Sequence, residues 1–128
     1  FNIEKYTNVF EDFIKNNKPT SILVGATPVG RQLAPKVAAR FKTGLTADCT
    51  ILDMKSTTDL VQIRPAFGGN IMAEILTPNN RPQMATVRYK VMETPAYSED
   101  INGEIVNCKT NNIDFESNIK ILDVIKKT

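Results

Sequence analysis

The stretch VGATPVGRQLAPKVAARF, residues 24–41, joins a hydrophobic run to a glycine loop and then to a helical pattern. Leu33, Ala34, Val37, Ala38 and Phe41 recur at spacings of three and four, the signature of one helix face. Ahead of the loop, TSILV (20–24) is short, β-branched and mostly apolar, which predicts a strand covered on both faces in a parallel sheet. Upstream again, Tyr6, Val9, Phe10, Phe13 and Ile14 mark an amphipathic helix over 3–16, stopped by Asn16-Asn17-Lys18-Pro19. Helix, strand, loop, helix is the wiring of an α/β domain with helices packed on a sheet.

The loop itself resembles a phosphate cradle only in part. Gly25 and Gly30 have the spacing of Gly-x-x-x-x-Gly, but Arg31-Gln32 follows where a nucleotide-hydrolysing loop needs Lys and then Ser or Thr. The dinucleotide pattern Gly-x-Gly-x-x-Gly also fails, because Thr27 stands at its second glycine. Thr27 suits an N-cap and Pro28 the first helical position, so Thr27, Gly30 and Arg31 form a residual phosphate-loop candidate at a helix N-terminus. The competing reading is that Gly25 and Gly30 only let strand and helix pack closely. Pro35, inside the helical pattern, predicts a helix that starts irregularly, in two steps.

Beyond Lys42 the pattern becomes mostly β. ADCTILDMK (47–55), DLVQIRP (59–65), NIMAEILT (70–77), QMATVRYKVM (83–92) and GEIVNCK (103–109) are strand-like runs. The Pro78-Asn79-Asn80-Arg81-Pro82 segment and Gly68-Gly69 are the clearest turns, which makes 70–77 and 83–91 neighbouring strands around the former. Residues 96–103 and 109–116 read as polar loops, and NIKILDVIKK (118–127) as a strand or short helix. Asp48 and Asp53 share one run at odd spacing, hence opposite faces and no carboxylate pair. Arg64 precedes a proline and a double glycine, where its guanidinium can face a ligand or partner or bond loop carbonyls. Arg88 lies in a strand run, where a buried arginine needs an ion-pair partner inside the fold or across an interface. Glu104, Lys109, Lys126 and Lys127 read as solvated surface.

Composition narrows the function classes. The 128 residues are 41% hydrophobic, enough for one core. Sixteen basic and fourteen acidic side chains leave +2, too little for a phosphate-backbone binder, so nucleic acid is not an expected partner. No run approaches the roughly 20 apolar residues that span a bilayer, and no basic-then-apolar leader opens the chain, so a cytoplasmic location without membrane insertion is expected. There is no histidine, which removes Ser-His and Cys-His pairs and the usual zinc sites. No autonomous catalytic or metal site is expected. Cys49 and Cys108 match no metal-ligand spacing and are expected as buried free thiols. Abundant Asn, Lys and Ile suit an AT-rich genome, a prokaryotic source is expected, and a start at Phe1 rather than Met reads as a processed chain or a piece of a longer one.

Three segments in register carry a resemblance. GATPVGRQLAPKVAARFKTGLTADCT, IRPAFGGNIMAEI and RPQMATVR resemble, in order and spacing, the N-terminal domain of electron transfer flavoprotein alpha subunits, over residues 19–92. The resemblance implies a three-layer Rossmann-like domain, related to the adenine-nucleotide hydrolases, with a mostly parallel sheet and a β-rich second half. It implies that residues 1–128 are part of that domain, without the C-terminal FAD-binding domain and without the strand and helix units that usually precede a segment like 1–17. It further implies pairing with a beta subunit, electrons arriving from acyl-CoA or other dehydrogenases through the intact complex, and FAD in the intact protein but not in this segment. Arg64, Gly68, Gly69, Asn70 and Arg88 would then face the partner or its flavin, and the 25–30 loop would be an inherited architectural turn. The family's usual proline and glycine after that last arginine are replaced by Tyr89 and Lys90. The alternative is a free-standing nucleotide-binding module resembling the universal stress proteins.

Overall fold

The computed structural model describes residues 1–100, 102–110 and 116–127. Helix α1 spans Ile3–Asn17, one residue longer than its apolar stripe predicts. Its start is fixed by the Asn2 side chain, which accepts from the Glu4 and Lys5 amides, and its end by Lys18 in the left-handed region at φ 47°. Strand β1, Ser21–Gly25, leads through Ala26 and Thr27 into α2, Pro28–Arg40. The Thr27 hydroxyl accepts from the Gly30 amide at 3.0 Å, with Pro28 at the first helical position where no amide is needed. Contrary to the two-step start expected from Pro35, α2 is one continuous helix. Pro35 lies on its exposed side, away from the core face of Leu33, Ala34, Val37 and Ala38, where the one helical hydrogen bond it cannot donate is tolerated.

Five more strands follow: β2 Leu45–Cys49, β3 Ile51–Met54, β4 Leu60–Ala66, β5 Ile71–Ile75 and β6 Gln83–Val87. They divide between a parallel sheet of order β1-β6-β2 and an antiparallel sheet of order β3-β4-β5. Three layers result. On one face of the parallel sheet, Met84 packs with Ile14 of α1 and Leu33, Ala34, Val37 and Ala38 of α2. On the other face the alternate residues meet the antiparallel sheet: the Thr46 hydroxyl donates to the Gln62 side chain, and the Gln83 side chain accepts from the Leu60 amide at 2.8 Å. This is the expected α/β, β-rich domain.

Four local expectations are corrected. The run 47–55 is not one strand: pairing slips between Thr46 and Cys49, Asp48 adopts φ 59°, and the chain passes from β2 in one sheet to β3 in the other. The strands around the 78–82 loop are not neighbours, since β5 pairs antiparallel with β4 whereas β6 pairs parallel with β1 and β2. β1 is covered on the helix side only. Leu23 points to the other face, where the antiparallel sheet lies against β2 and β6 and leaves it 52% exposed. The fourth concerns the tail. Residues 103–109 and 118–127 form neither strand nor helix, Cys108 is exposed, and Ile105, Val106, Leu122 and Ile125 lie uncovered by either sheet or the helical core. Cys49 is buried and free, as expected. The middle of the expected 109–116 loop lies outside the described residues.

Gly30 sets how closely helix and strand approach. A Cβ there would sit 2.0 Å from the Gly25 carbonyl oxygen and 3.0 Å from a Val24 methyl, so backbone must move to admit it. Gly30→Ala should therefore lower stability by about 1–3 kcal/mol, seen as a lower urea midpoint. Gly25→Ala, where the nearest atom lies 3.9 Å away, should leave the midpoint nearly unchanged.

Candidate functional site

The three parallel strands point their carboxyl ends the same way, and the loops leaving them gather charge there. The Ala26 amide donates to the Val87 carbonyl at 2.8 Å, and the Arg88 amide to the Cys49 carbonyl at 2.9 Å, so all three strand exits are tied together. Arg31 comes from the first turn of α2, Asp48 from the bulge of β2 and Arg88 from the residue after β6.

Asp48 is the hub. Its Oδ2 accepts from Arg88 Nη2 at 2.7 Å and Nε at 3.1 Å, and its Oδ1 accepts from Arg31 Nη2 at 3.2 Å. The carboxylate can reach both only because its backbone is left-handed there, a conformation that Asp tolerates better than most residues and that the Thr86 hydroxyl holds by accepting from the Asp48 amide at 2.7 Å. Arg31 Nε also donates to the Ala26 carbonyl at 2.9 Å, which folds this side chain back over its own loop. The hydrogen bonds from Arg88 hold the Asp48 carboxyl below the ordinary carboxylate range, with the charges of Arg88, Arg31 and Arg64 acting in the same direction. Reciprocally, Asp48 raises the Arg88 guanidinium further above its usual value. The neighbouring Cys49 thiol is pushed up, first by burial and then by the Asp48 charge, which makes it a poor nucleophile.

Arg64 approaches from the second sheet. Leu60 meets Gln83 at the start of β6, and two residues on Gln62 meets Thr46, which pairs with Ala85, so β4 runs with β6 and β2 and its end reaches the same carboxyl end. The Arg64 Nε is buried without an acceptor, and its charge is felt at Asp48. Three arginines thus surround one carboxylate, a surplus of two positive charges. Such an end is suited to an anionic or acceptor-rich group, at the place where open α/β sheets receive ligands.

The sequence candidates divide accordingly. Arg31, Arg64 and Arg88 converge on this end. Arg88 is not a buried strand residue: it lies just past β6, its side chain 40% exposed, with its partner inside the fold. Gly68 and Gly69, at φ 70° and 93°, form the turn between β4 and β5, with exposed Asn70 after them. Thr27 and Gly30 are occupied by each other and by packing, since the Gly30 amide is bonded to Thr27 and its Cα faces the Gly25 carbonyl. Asp53 lies on β3, in the other sheet from Asp48, and the two do not pair. Sequence reasoning missed Asp48 as the arginine hub; a charged residue inside the run LTADC was the available signal. Among the described residues there is no cluster of His, Cys, Asp or Glu fit to hold a metal ion, and no helix long and apolar enough to cross a membrane.

The family model "Electron transfer flavoprotein domain" matches residues 1–111. The chain is 61% identical over 127 residues to subunit LctC of the lactate dehydrogenase (NAD(+),ferredoxin) of Acetobacterium woodii, covering 99% of this chain and 30% of that protein. It is 48% identical over 129 residues to the electron transfer flavoprotein subunit alpha of Megasphaera elsdenii, covering 98% and 38%. With the protein FixB of Clostridium saccharobutylicum it shares 44% identity over 132 residues, again covering 98% and 38%. The chain thus spans about a third of the length of the curated relatives it matches.

Asp48 titrates lower in the folded chain than in the unfolded one, so its contribution to stability is complete above the unfolded carboxylate value and is lost as pH falls through the folded one. Native chain and Asp48→Asn should therefore differ most in urea midpoint near neutrality, the native being more stable, and the gap should close on acidification below about pH 4. Asp59 and Glu11, also held low, are common to both chains and cancel in the difference.

Proposed function

The chain belongs to the electron transfer flavoprotein family, on its alpha-subunit side, and we propose that it pairs with a beta subunit in FAD-mediated electron transfer from dehydrogenases. The observation that carries the site is the arginine surplus around Asp48 at the carboxyl end of the sheet. In this reading the domain is a scaffold. It brings positive charge to the interface and does no bond-making chemistry itself, as befits a carrier subunit rather than an enzyme acting alone. Relatives that are electron transfer flavoprotein alpha subunits do not favour the stress-protein-like nucleotide module.

FAD, when bound in the whole protein, supplies the electron-accepting ring. The fit of this segment to it is uneven. The 25–30 loop offers little room for a pyrophosphate, since the space beside Gly30 is taken by the Gly25 carbonyl and its amide by Thr27. We therefore assign Thr27 and Gly30 to architecture, leave Arg31 with the arginine cluster on Asp48, and place the flavin's own binding domain outside residues 1–128. The neighbouring exits of β4 and β6, at the same end, suit the edge of a flavin presented by the partner. The buried Arg64 Nε has no acceptor, and Arg88 is half-exposed beside it, with Gly68, Gly69 and Asn70 forming the adjoining turn. Arginine charge there favours a ring that has gained electrons over one that has not, and so raises its potential. A cytoplasmic, prokaryotic setting completes the reading.

In the assembled alpha–beta protein, Arg88→Ala should make a flavin potential more negative by roughly 30 mV, about 1.4 kcal/mol for a two-electron couple. Redox titration of native and variant complexes of equal flavin content measures it. An unchanged potential with intact assembly would remove the arginines from the flavin's surroundings.

A further inference from the structure

At the tip between β4 and β5 stands Phe67, a bulky residue at φ 49° and the first of three consecutive residues with positive φ. A phenylalanine in that region is strained, and internal packing normally compensates. Here nothing does: the ring is 82% exposed, and the Cβ positions of Gly68 and Gly69 find no atom within 4 Å. The turn stands clear of the rest of the molecule. A glycine at 67 would close the same turn without strain and without an aromatic ring in water. The fold does not need this side chain.

The tip lies where the charge lies. β4 runs with β2 and β6, so Phe67, three residues and about 10 Å beyond Arg64, projects past the carboxyl end that carries Arg31 and Arg88. Tyr89, directly after Arg88, is 71% exposed. Aromatic and arginine side chains on one rigid end are the composition of interface hot spots, and an unbalanced positive rim selects carboxylates opposite it.

We propose that Phe67 is the aromatic anchor by which this domain docks its beta subunit, entering an apolar pocket of that partner edged by carboxylates that meet Arg88 and Arg31. The proposal rests on the pairing reading above. Ring burial supplies the affinity, the arginines the orientation, and the strained backbone holds the ring out before the partner arrives.

The test uses the full alpha subunit and its beta subunit. Phe67→Gly relieves the backbone and deletes the ring, so its urea midpoint should equal or exceed the native one while the Kd for the beta subunit rises at least about tenfold. Phe67→Asn, which also accepts the left-handed backbone, should show the same loss, and Phe67→Leu should recover much of it. If the native subunit binds and both Phe67→Gly and Phe67→Asn bind within about twofold of it, the anchor is overturned and pairing stands. If the native subunit does not bind the beta subunit, the pairing reading fails and the anchor falls with it.

Discussion

Strand β6 is the constraint on which the rest depends. It arrives last of the strands yet inserts between the first two of its sheet, pairing along β1 from Ser21↔Gln83 to Gly25↔Val87 on one side and with β2 on the other. Met84 closes the helical core, and Gln83 reaches through the opposite face to the second sheet. Removing this strand would leave β1 and β2 without a common neighbour and both layers without a floor. Its ladder bridges residues some sixty apart in sequence at one edge, so the parallel sheet cannot form until the whole β-rich second half has been brought into place.

The arginine end follows from that insertion. Arg88 lies opposite the β2 bulge only because β6 lies beside β2, and Asp48 can hold Arg88 and Arg31 together only because the bulge turns its carboxylate toward both. One carboxylate cannot neutralise three guanidinium groups. Asp48 keeps the cluster ordered while leaving net charge outward. Exposed ion pairs of this kind contribute about 0–1 kcal/mol each, so the arrangement is better understood as orientation than as stability.

The helices and the first strand were legible because each is local: apolar spacing, Thr27 as a cap and Asn16-Asn17-Lys18-Pro19 as a stop are all read within one window. The strands of the second half were legible as strands but not as partners. Sequence order favours pairing β5 with β6, whereas the 78–82 loop carries the chain from one sheet to the other, a fact set by Gln83, Asp59 and Thr46 across the layers. The break at Thr50 was invisible because Asp48, not a glycine, takes the left-handed turn. Arg64 and Arg88 stood out by their neighbours, but the hub between them lies forty residues from Arg88, beyond any motif. The tail misled for the opposite reason. Its residues have strand-like character, yet the described ones pair with none of the open edges that β1, β2, β3 and β5 present.

The layer between the two sheets is polar where it could have been apolar. Thr46, Gln62 and Gln83 are all buried, and Gln83 bonds the Leu60 amide, the Asp59 carboxylate and the Thr77 carbonyl. An apolar interface would bury the same area with no directional preference, and the β3-β4-β5 hairpin pair could slide by a residue at little cost. Hydrogen bonds from side chains to fixed backbone groups forbid that slip. A one-residue shift of β4 would turn Arg64 away from Asp48 and put Gln62 on the outer face. The buried glutamines therefore trade hydrophobic stabilisation for register, and it is register that brings Arg64 and the 67–69 turn to the end of the sheet where the other arginines wait.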